Sequence, residues 1–277
     1  MLARTTLPEA ADAALAVLHA GVQAAAQVLA AREPGLTAQA VATLDSTNAE
    51  LLRRARAGHG GTALLVAHTQ TAGRGRRGRT WVTVPGASLA FSVGLTMQPR
   101  DWSGLSLAVG VALARALPGG VRLKWPNDLV WQGRKLGGIL IETAAVPGTG
   151  GRYAVIGVGI NLATPALPPE APPDALAPAG LDELAHAGGL PALDAGAWLA
   201  RLAPAVVDAA RRFEADGFAP WQASYGALDA LAGLPVRTSD GREGVADGVS
   251  ADGALRLRSA DGSVVLVQAG EVSVRPC

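Results

Sequence analysis

The chain has 277 residues, of which 49% are hydrophobic and 17% are charged, and its formal net charge is +1. This length suits one large domain followed by a small one, and the apolar fraction supports a sizeable core. The low net charge argues against a protein whose whole surface binds nucleic acid. The single cysteine is the last residue, Cys277, which excludes an internal disulfide, a cysteine-based metal cage and a buried thiol nucleophile.

The first segment is rich in alanine and leucine and predicts one helix or two short ones over residues 8–32. Glu9 and Asp12 interrupt its apolar run, so it does not have the composition of an export signal. No charge-free apolar stretch is long enough to predict a membrane span. We therefore expect a cytoplasmic protein with no membrane partner.

The central part of the chain alternates between strand and helix patterns. Strands are predicted at residues 41–44, 63–68, 88–96, 121–124, 129–131, 136–142 and 152–160, and helices at 47–57, 105–117, 181–183, 195–217 and 221–225. Asp45 or Ser46 is the expected N-cap of the first of these helices. Residues 147–151 predict a turn, and the proline-rich residues 165–178 predict an irregular surface loop.

From residue 234 the chain changes to short alternating segments separated by Asp-Gly pairs. These segments predict strands at 235–238, 243–249, 254–258, 264–267 and 271–274, with turns at Asp240/Gly241, Asp247/Gly248, Asp252/Gly253 and Asp261/Gly262. The pattern indicates a small β-barrel of the SH3-like size class. The predicted organisation is an Ala-rich helical segment (1–36), a main domain (37–231) and this barrel (232–277).

Residues 73–81, the Gly-Arg loop, read GRGRRGRTW. Its four arginines repel one another and its three glycines raise the entropy lost on ordering, so the composition favours a segment that receives an anion. It is not a Walker loop, because no Gly-Lys-Ser/Thr follows, and it lacks the helix and acidic residue of a dinucleotide fingerprint. A solvated basic surface loop is the alternative interpretation.

Two later motifs also carry chemistry. In KWPND, Lys124 ends an apolar strand and needs a polar partner, while Asn127 and Asp128 suit a turn. In RKLGG, Lys135 precedes paired glycines, which in a strand indicate the close approach of a ligand or of a neighbouring backbone.

A third motif, GVGIN, places Gly157 and Gly159 on one face of a predicted strand, where the missing side chains leave a slot. Asn161 at the end of that strand can both donate and accept hydrogen bonds, which suits a base edge or an amide.

The motifs DSTN, Gln70 with GRGRRGRTW, KWPNDL, RKLGGILIE and GVGINL stand in this order, and the chain resembles the biotin protein ligases. The resemblance covers about residues 41–163 by motif, and the part after residue 232 is similar to the C-terminal domain of that family. It implies an α+β fold, with a mixed-sheet catalytic domain and flanking helices like a class II aminoacyl-tRNA synthetase, plus an SH3-like barrel. The implied reaction converts biotin and Mg-ATP to biotinyl-5′-AMP and transfers biotin to a lysine of a biotin carboxyl carrier protein.

The resemblance also implies residue roles. Biotin is expected to contact Ser46, Thr47, Asn48, Gln70, Arg74, Gly75, Arg76, Trp81, Lys135, Gly138 and Gly157. Lys135 and Arg76 are the expected catalytic residues, and the nucleotide is expected to contact Arg76, Arg79, Lys124 and Asn161. Asp128 is the expected Mg²⁺ ligand, without a metal cage held by the protein alone.

Other functions stay open. Some family members carry an N-terminal winged helix-turn-helix that represses transcription; the segment before residue 41 is too short for that module, so we expect no nucleic-acid partner. A lipoate or octanoate ligase or transferase shares the fold, although a transferase would favour a nucleophilic cysteine, for which Cys277 is poorly placed, or a lysine within a different motif. A DNA- or RNA-binding protein that uses the Gly-Arg loop is disfavoured by the net charge. Monomer and homodimer are both compatible with the sequence.

Overall fold

The structure, a computed structural model, describes residues 7–145, 151–167, 175–189, 191–269 and 274–276. In chain order its elements are α1 (Leu7–Leu29), β1 (Thr37–Leu44), α2 (Thr47–Arg56), β2 (Ala63–Gln70), β3 (Ser88–Met97), α3 (Leu105–Ala116), β4 (Val121–Lys124), β5 (Asp128–Trp131), β6 (Arg134–Ala145), β7 (Arg152–Asn161), α4 (Leu181–Ala187), α5 (Ala195–Asp216), α6 (Gln222–Leu228), β8 (Pro235–Thr238), β9 (Glu243–Val249), β10 (Leu255–Arg258), β11 (Val264–Val267) and β12 (Val274–Pro276).

The chain divides into two compact units. The first unit comprises Met1–Met97, Leu140–Pro165 and Gly180–Pro204, and the second comprises Gln98–Ile139, Ala166–Ala179 and Ala205–Cys277. Strand β6 and helix α5 each run from one unit into the other. The predicted domain boundaries after residues 36 and 231 stay predictions.

The first unit contains a mixed sheet, as predicted. Strand β1 pairs parallel with β2, whereas β2 pairs antiparallel with β3 and β3 antiparallel with β7. Helix α2 packs on this sheet through Leu51, Leu52 and Ala55, which share a buried cluster with Leu65 and Tyr153. The sheet and α2 together therefore form the core on which the N-terminal end of α2 is held.

Helix α1 packs on β1 and β2 in the same unit. Where it meets α5, a Cβ on Gly21 would lie 2.4 Å from the Gly196 oxygen, and one on Gly196 would lie 2.2 Å from the Val17 oxygen, so this crossing requires glycine on both helices. By length and composition alone, Ala11–Leu29 is apolar enough to cross a membrane, a test that core helices of globular proteins and signal sequences also pass.

The second unit contains an antiparallel arrangement of β4, β5 and the first half of β6, with α3 and α6 packed on β4. Trp125, in the turn between β4 and β5, is fully buried, and its Nε1 donates a hydrogen bond of 3.1 Å to the Gly253 oxygen. A Cβ on Gly253 would lie 2.8 Å from the Gly104 Cα, so the β9–β10 loop lies directly against the segment that precedes α3. The KWPND turn is thus anchored within the second unit.

The C-terminal strands of that unit form a five-stranded antiparallel sheet in the order β11-β10-β9-β8-β12. The turn predicted at Asp247/Gly248 is wrong, because both residues lie inside β9. Gly248 has a φ of 72°, and the β9–β10 register shifts at this point, so the pair forms a β-bulge. The Asp247 carboxylate instead pairs with Arg256, at 3.2 Å, and with Arg258.

Several element boundaries differ from those expected. Strand β1 begins at Thr37, four residues early, α4 continues to Ala187, and a short 3₁₀ turn, Ala219–Trp221, precedes α6. Parts of the turn predicted at 147–151, of the loop at 165–178 and of the strand at 271–274, together with Cys277, lie outside the described residues.

Candidate functional site

A buried network of polar side chains joins α2, β2 and β3 in the first unit. We call Thr47, Asn48, Gln70 and Ser92 the polar floor. The backbone N and the Oγ1 of Thr47 donate to Gln70 Oε1 at 2.8 and 3.2 Å. Ser92 Oγ lies 2.7 Å from Thr47 Oγ1 and 2.6 Å from Asn48 Oδ1. Three of the expected biotin residues therefore belong to one hydrogen-bonded network, to which the structure adds Ser92.

The start of α2 is fixed by two further interactions. Ser46 is the N-cap: its backbone is extended, and its Oγ accepts a hydrogen bond of 3.5 Å from the Ala49 N. The Asp45 carboxylate accepts a hydrogen bond of 2.8 Å from the Ser46 N and two from the Arg53 guanidinium, at 2.7 and 2.8 Å. The Arg53 hydrogen bonds lower the pKa of Asp45 to about 2. The first turn that carries Thr47 and Asn48 is thus held from both sides.

The two glycines of the GVGIN motif that were predicted to leave a slot lie directly beneath side chains from other parts of the chain. A Cβ on Gly157 would lie 2.2 Å from Asn48 Oδ1, and one on Gly159 would lie 2.4 Å from the Trp81 ring. These contacts exclude any larger side chain unless the neighbour moves. Asn48 and Trp81 therefore lie directly against β7, each over one of its glycines.

The Gly-Arg loop is closed by its own backbone. The Gly75 N donates to the Arg79 oxygen at 2.7 Å, and the Trp81 N donates to the Gly73 oxygen at 2.9 Å. The turn between them is a short 3₁₀ helix, Arg76–Gly78. Within this hairpin Arg79 is exposed and Arg76 is partly buried, so the two expected phosphate contacts differ in their access to solvent.

A second group of expected residues, the lysine cluster, lies in the second unit and consists of Lys124, Asp128 and Lys135. Asp128 Oδ1 is 2.7 Å from Lys135 Nζ, and Oδ2 is 3.3 Å from Lys124 Nζ. Burial works to raise the pKa of Asp128, but the charges of Lys135 and Lys124 outweigh it, so the pKa is lowered. For the Lys124 ammonium, in contrast, burial lowers the pKa. Two ammonium groups around one carboxylate leave the cluster suited to an anion.

The backbone beneath this cluster is firmly held. The Lys135 N donates to the Ala177 oxygen at 2.7 Å, and the Lys135 oxygen accepts from the Ala179 N at 2.9 Å. A Cβ on Gly138 would lie 3.7 Å from both Asp128 Oδ1 and Lys135 Nζ, which is ordinary contact. Unlike Gly157, Gly138 is therefore not required by a contact within the protein.

The structure thus brings the expected residues together in two groups. Around β7 in the first unit lie Ser46, Thr47, Asn48, Gln70, Trp81 and Gly157, with Arg74, Gly75, Arg76 and Arg79 in the adjoining hairpin. Asn161 is buried at the end of β7, opposite Ser88. Lys124, Asp128, Lys135 and Gly138 form the group in the second unit. The sequence signal for Ser92 is weak, because it is one of three hydroxyl residues in strand β3, with Ser88 and Thr96.

The side chains that the structure describes offer few oxygen ligands for a magnesium ion. Among the described residues, no group of three or more His, Cys, Asp and Glu side chains is placed to hold a metal ion. Mg²⁺ commonly uses one or two carboxylates together with substrate phosphates. Both oxygens of Asp128 are paired with ammonium groups, so this carboxylate fits Mg²⁺ only as a single ligand that gives up one lysine to an ion arriving with a nucleotide.

Comparison with known proteins defines the class to which this fold and site belong. Residues 41–161 match the model of the Biotin/lipoate A/B protein ligase family, and residues 236–275 match the Biotin protein ligase C terminal domain. The first match contains the polar floor, the Gly-Arg loop and the lysine cluster. The class is therefore an acyl–protein ligase of the biotin and lipoate type.

Individual relatives narrow the class. The chain is 36% identical over 260 residues to the bifunctional ligase/repressor BirA of Escherichia coli, covering 91% of this chain and 78% of that protein. It is 34% identical over 240 residues to the biotin–[acetyl-CoA-carboxylase] ligase of Paracoccus denitrificans, covering 82% and 96%. A biotin protein ligase from Aquifex aeolicus solved with biotin and ATP aligns with a TM-score of 0.69 at 25% identity, covering 88% and 100%. The chain belongs to the biotin protein ligase family.

Proposed function

We propose that this protein activates biotin with ATP to biotinyl-5′-AMP and then transfers biotin to a lysine of a biotin carboxyl carrier protein. The choice of biotin over lipoate rests on the polar floor, which lies beside the glycines of β7. The ureido group of biotin has two N–H donors and one carbonyl acceptor, which need polar partners when they are buried. The dithiolane ring of lipoate needs none, so a hydrogen-bonding floor favours biotin.

In the first step an oxygen of the biotin carboxylate attacks the α-phosphorus of ATP, and the bond to pyrophosphate breaks. In the second step a lysine amine attacks the acyl carbon, the bond to AMP breaks and the amine loses a proton. Both steps concentrate negative charge on phosphate and carboxylate oxygens. The Lys135 ammonium, on its firmly held backbone, and the Arg76 guanidinium stabilise that charge. Mg²⁺ bound to ATP supplies further charge neutralisation, and Asp128 would hold it.

The remaining assignments follow from the family. Arg79, Lys124 and Asn161 contact the nucleotide, while Arg74, Gly75 and Trp81 enclose biotin. The catalytic part has the class II aminoacyl-tRNA-synthetase-like architecture, and the C-terminal sheet forms an SH3-like barrel. The acceptor is the carrier domain of acetyl-CoA carboxylase or a similar domain, and the reaction takes place in the cytoplasm without nucleic acid or a membrane.

The test incubates the purified protein with Mg-ATP and either biotin or lipoate, and measures pyrophosphate. We expect release that depends on biotin and is absent with lipoate. A carrier domain added afterwards should gain one biotin on a lysine. Pyrophosphate release that occurs with lipoate and not with biotin would instead favour a lipoate ligase.

Replacing Lys135 by Ala should lower the rate of biotin-dependent pyrophosphate release by a factor of about 10²–10³, because one preorganised charge near the reacting oxygens is lost. Arg100→Ala, which removes an exposed cation of the same unit, is the matched control and should leave the rate unchanged. A folded Lys135→Ala protein with a near-normal rate would contradict the catalytic assignment.

A further inference from the structure

Strand β6 carries a carboxylate, Glu142, that contacts two parts of the proposed biotin site. Its Oε2 accepts a hydrogen bond of 3.0 Å from Asn48 Nδ2, and its Oε1 lies 3.1 Å from Arg74 Nη2. We propose that Glu142 is a positioning residue that ties the Gly-Arg loop to the polar floor. Its effect on biotin rests on the proposed function, whereas the tie itself consists of contacts within the protein and can be tested without biotin.

On the side of the floor, Glu142 decides which way the Asn48 amide points. Asn48 Nδ2 also donates to the Leu140 oxygen at 3.2 Å, and its Oδ1 faces Ser92 Oγ at 2.6 Å. A reversed amide would place Oδ1 against the Glu142 carboxylate and the Leu140 oxygen, where all the neighbours are acceptors. Because Asn48 is buried, this mismatch would have no water to relieve it, so Glu142 and the Leu140 oxygen together keep the Asn48 oxygen directed at Gly157.

On the side of the loop, Glu142 forms an ion pair with Arg74 that can break in solution. The Arg74 side chain is 50% exposed and that of Glu142 is 22% exposed, and ion pairs in water contribute little to stability. A guanidinium has five N–H donors, so Arg74 can keep its contact with Glu142 and still donate to an incoming carboxylate or phosphate. Glu142 therefore aims Arg74 before the ligand arrives.

The tie is tested without any ligand by limited trypsin digestion, since trypsin cleaves after the arginines of the loop. Glu142→Gln keeps the size of the side chain but removes the charge that attracts Arg74, and should speed cleavage within residues 74–79 by about two- to fivefold. The matched control is Glu243→Gln, which neutralises the exposed Arg237–Glu243 pair of the C-terminal sheet and should leave loop cleavage unchanged. In an Arg74→Gln background the Glu142 substitution should have no further effect on cleavage after residues 76–79.

The link to the floor is tested by measuring the biotin Kd by calorimetry, with thermal unfolding midpoints recorded in parallel. Glu142→Ala removes one of the two acceptors of the Asn48 amide and should weaken biotin binding about tenfold, while the Leu140 oxygen keeps the amide paired and the unfolding midpoint close to that of the wild type. Equal cleavage of Glu142→Gln and wild type would overturn the tie, and an unchanged Kd for Glu142→Ala would overturn the role in the floor. A wild-type protein that releases no biotin-dependent pyrophosphate would instead overturn the proposed function, and the cleavage experiment would still decide whether the tie exists.

Discussion

At the scale of single residues, two glycines of the proposed biotin site differ in what the protein itself demands of them. Gly157 faces Asn48 at a distance that no Cβ can share, whereas Gly138 faces Asp128 and Lys135 at ordinary contact distance. The first glycine is required for the polar floor to exist at all. The second could carry a Cβ without displacing any neighbour within the protein.

Gly157→Ala is therefore expected to destabilise the protein by about 1–3 kcal/mol, because the new Cβ displaces Asn48 and strains its neighbours. Biotin affinity should fall in parallel by about tenfold, as the Asn48 hydrogen bonds are lost. Gly138→Ala is the matched variant and should change the free energy of unfolding by no more than about 0.5 kcal/mol. Urea denaturation and calorimetry measure both quantities; equal stability of the two variants would contradict the steric argument.

The same residues show what a sequence can predict about a site. Gly157 is predictable, because spaced glycines weaken a strand unless something lies close to its backbone. Lys135 is predictable, because it stands beside the paired glycines of its own strand and offers a charge to a ligand there. Ser92 and Glu142 are not, because one of three hydroxyl residues in β3 and a lone carboxylate in β6 have nothing in the sequence to distinguish them from ordinary polar positions. Their roles depend on register: Ser92 pairs with Gly157 across β3 and β7, and such pairing joins residues far apart in the chain.

At the scale of elements, helix α2 presents the first turn of the site, and its sequence explains why it begins where it does. Ser46 caps it, and Asp45 and Glu50 lie near its positive N-terminal end, both paired with Arg53. The doubly hydrogen-bonded Asp45–Arg53 pair spans the first two turns. It ties Asp45, which precedes the helix, to Arg53 within the helix.

The contribution of this pair should depend on pH in a defined direction. The pKa of Asp45 is lowered from 3.8 to about 2, so its folded-state value lies below the unfolded one. The stabilisation is then present above about pH 4 and is lost as the pH falls towards 2. Since both side chains are more than one third exposed, we expect a coupling of only about 0.2–1 kcal/mol at pH 7.

A double-mutant cycle of Asp45→Asn and Arg53→Gln, followed by urea denaturation at pH 7, 5 and 3, measures this coupling. It should be largest at pH 7 and 5 and smaller at pH 3. Strictly additive effects at pH 7 would show that the pair does not hold the start of α2.

The element scale also explains the one turn that was predicted wrongly. Asp-Gly is typical of a two-residue hairpin turn because glycine reaches positive φ without strain. The same property suits a β-bulge inside a strand, and Gly248 uses it there. Only the pairing partner, β10, distinguishes the two outcomes, and pairing is not encoded in the dipeptide itself.

At the scale of the whole molecule, the chain has few amines with which an activated acyl group could react. Lys124 and Lys135 are its only lysines among 24 basic residues. Lys124 is 4% exposed, and both are paired with Asp128. Because an amine must leave its ion pair before it can attack an acyl carbon, the pairing with Asp128 makes both side chains poor acceptors.

Arg76→Gly should separate release of the intermediate from self-labelling. Removing this guanidinium takes away a charged hydrogen-bond donor, worth about 1.5–3 kcal/mol, so biotinyl-5′-AMP should dissociate about 10- to 100-fold faster. The released adenylate should label a lysine-rich bystander protein, while peptides of the enzyme itself carry little biotin.

Arg100→Lys, which adds an exposed lysine to the Arg76→Gly protein, should create one strong new labelled site. Mass spectrometry of both variants, incubated with Mg-ATP, biotin and the bystander, reads out each result. Retention of the adenylate as long as in the wild type would contradict the role of Arg76, whereas heavy labelling of Lys124 or Lys135 would show that their pairing with Asp128 does not protect them.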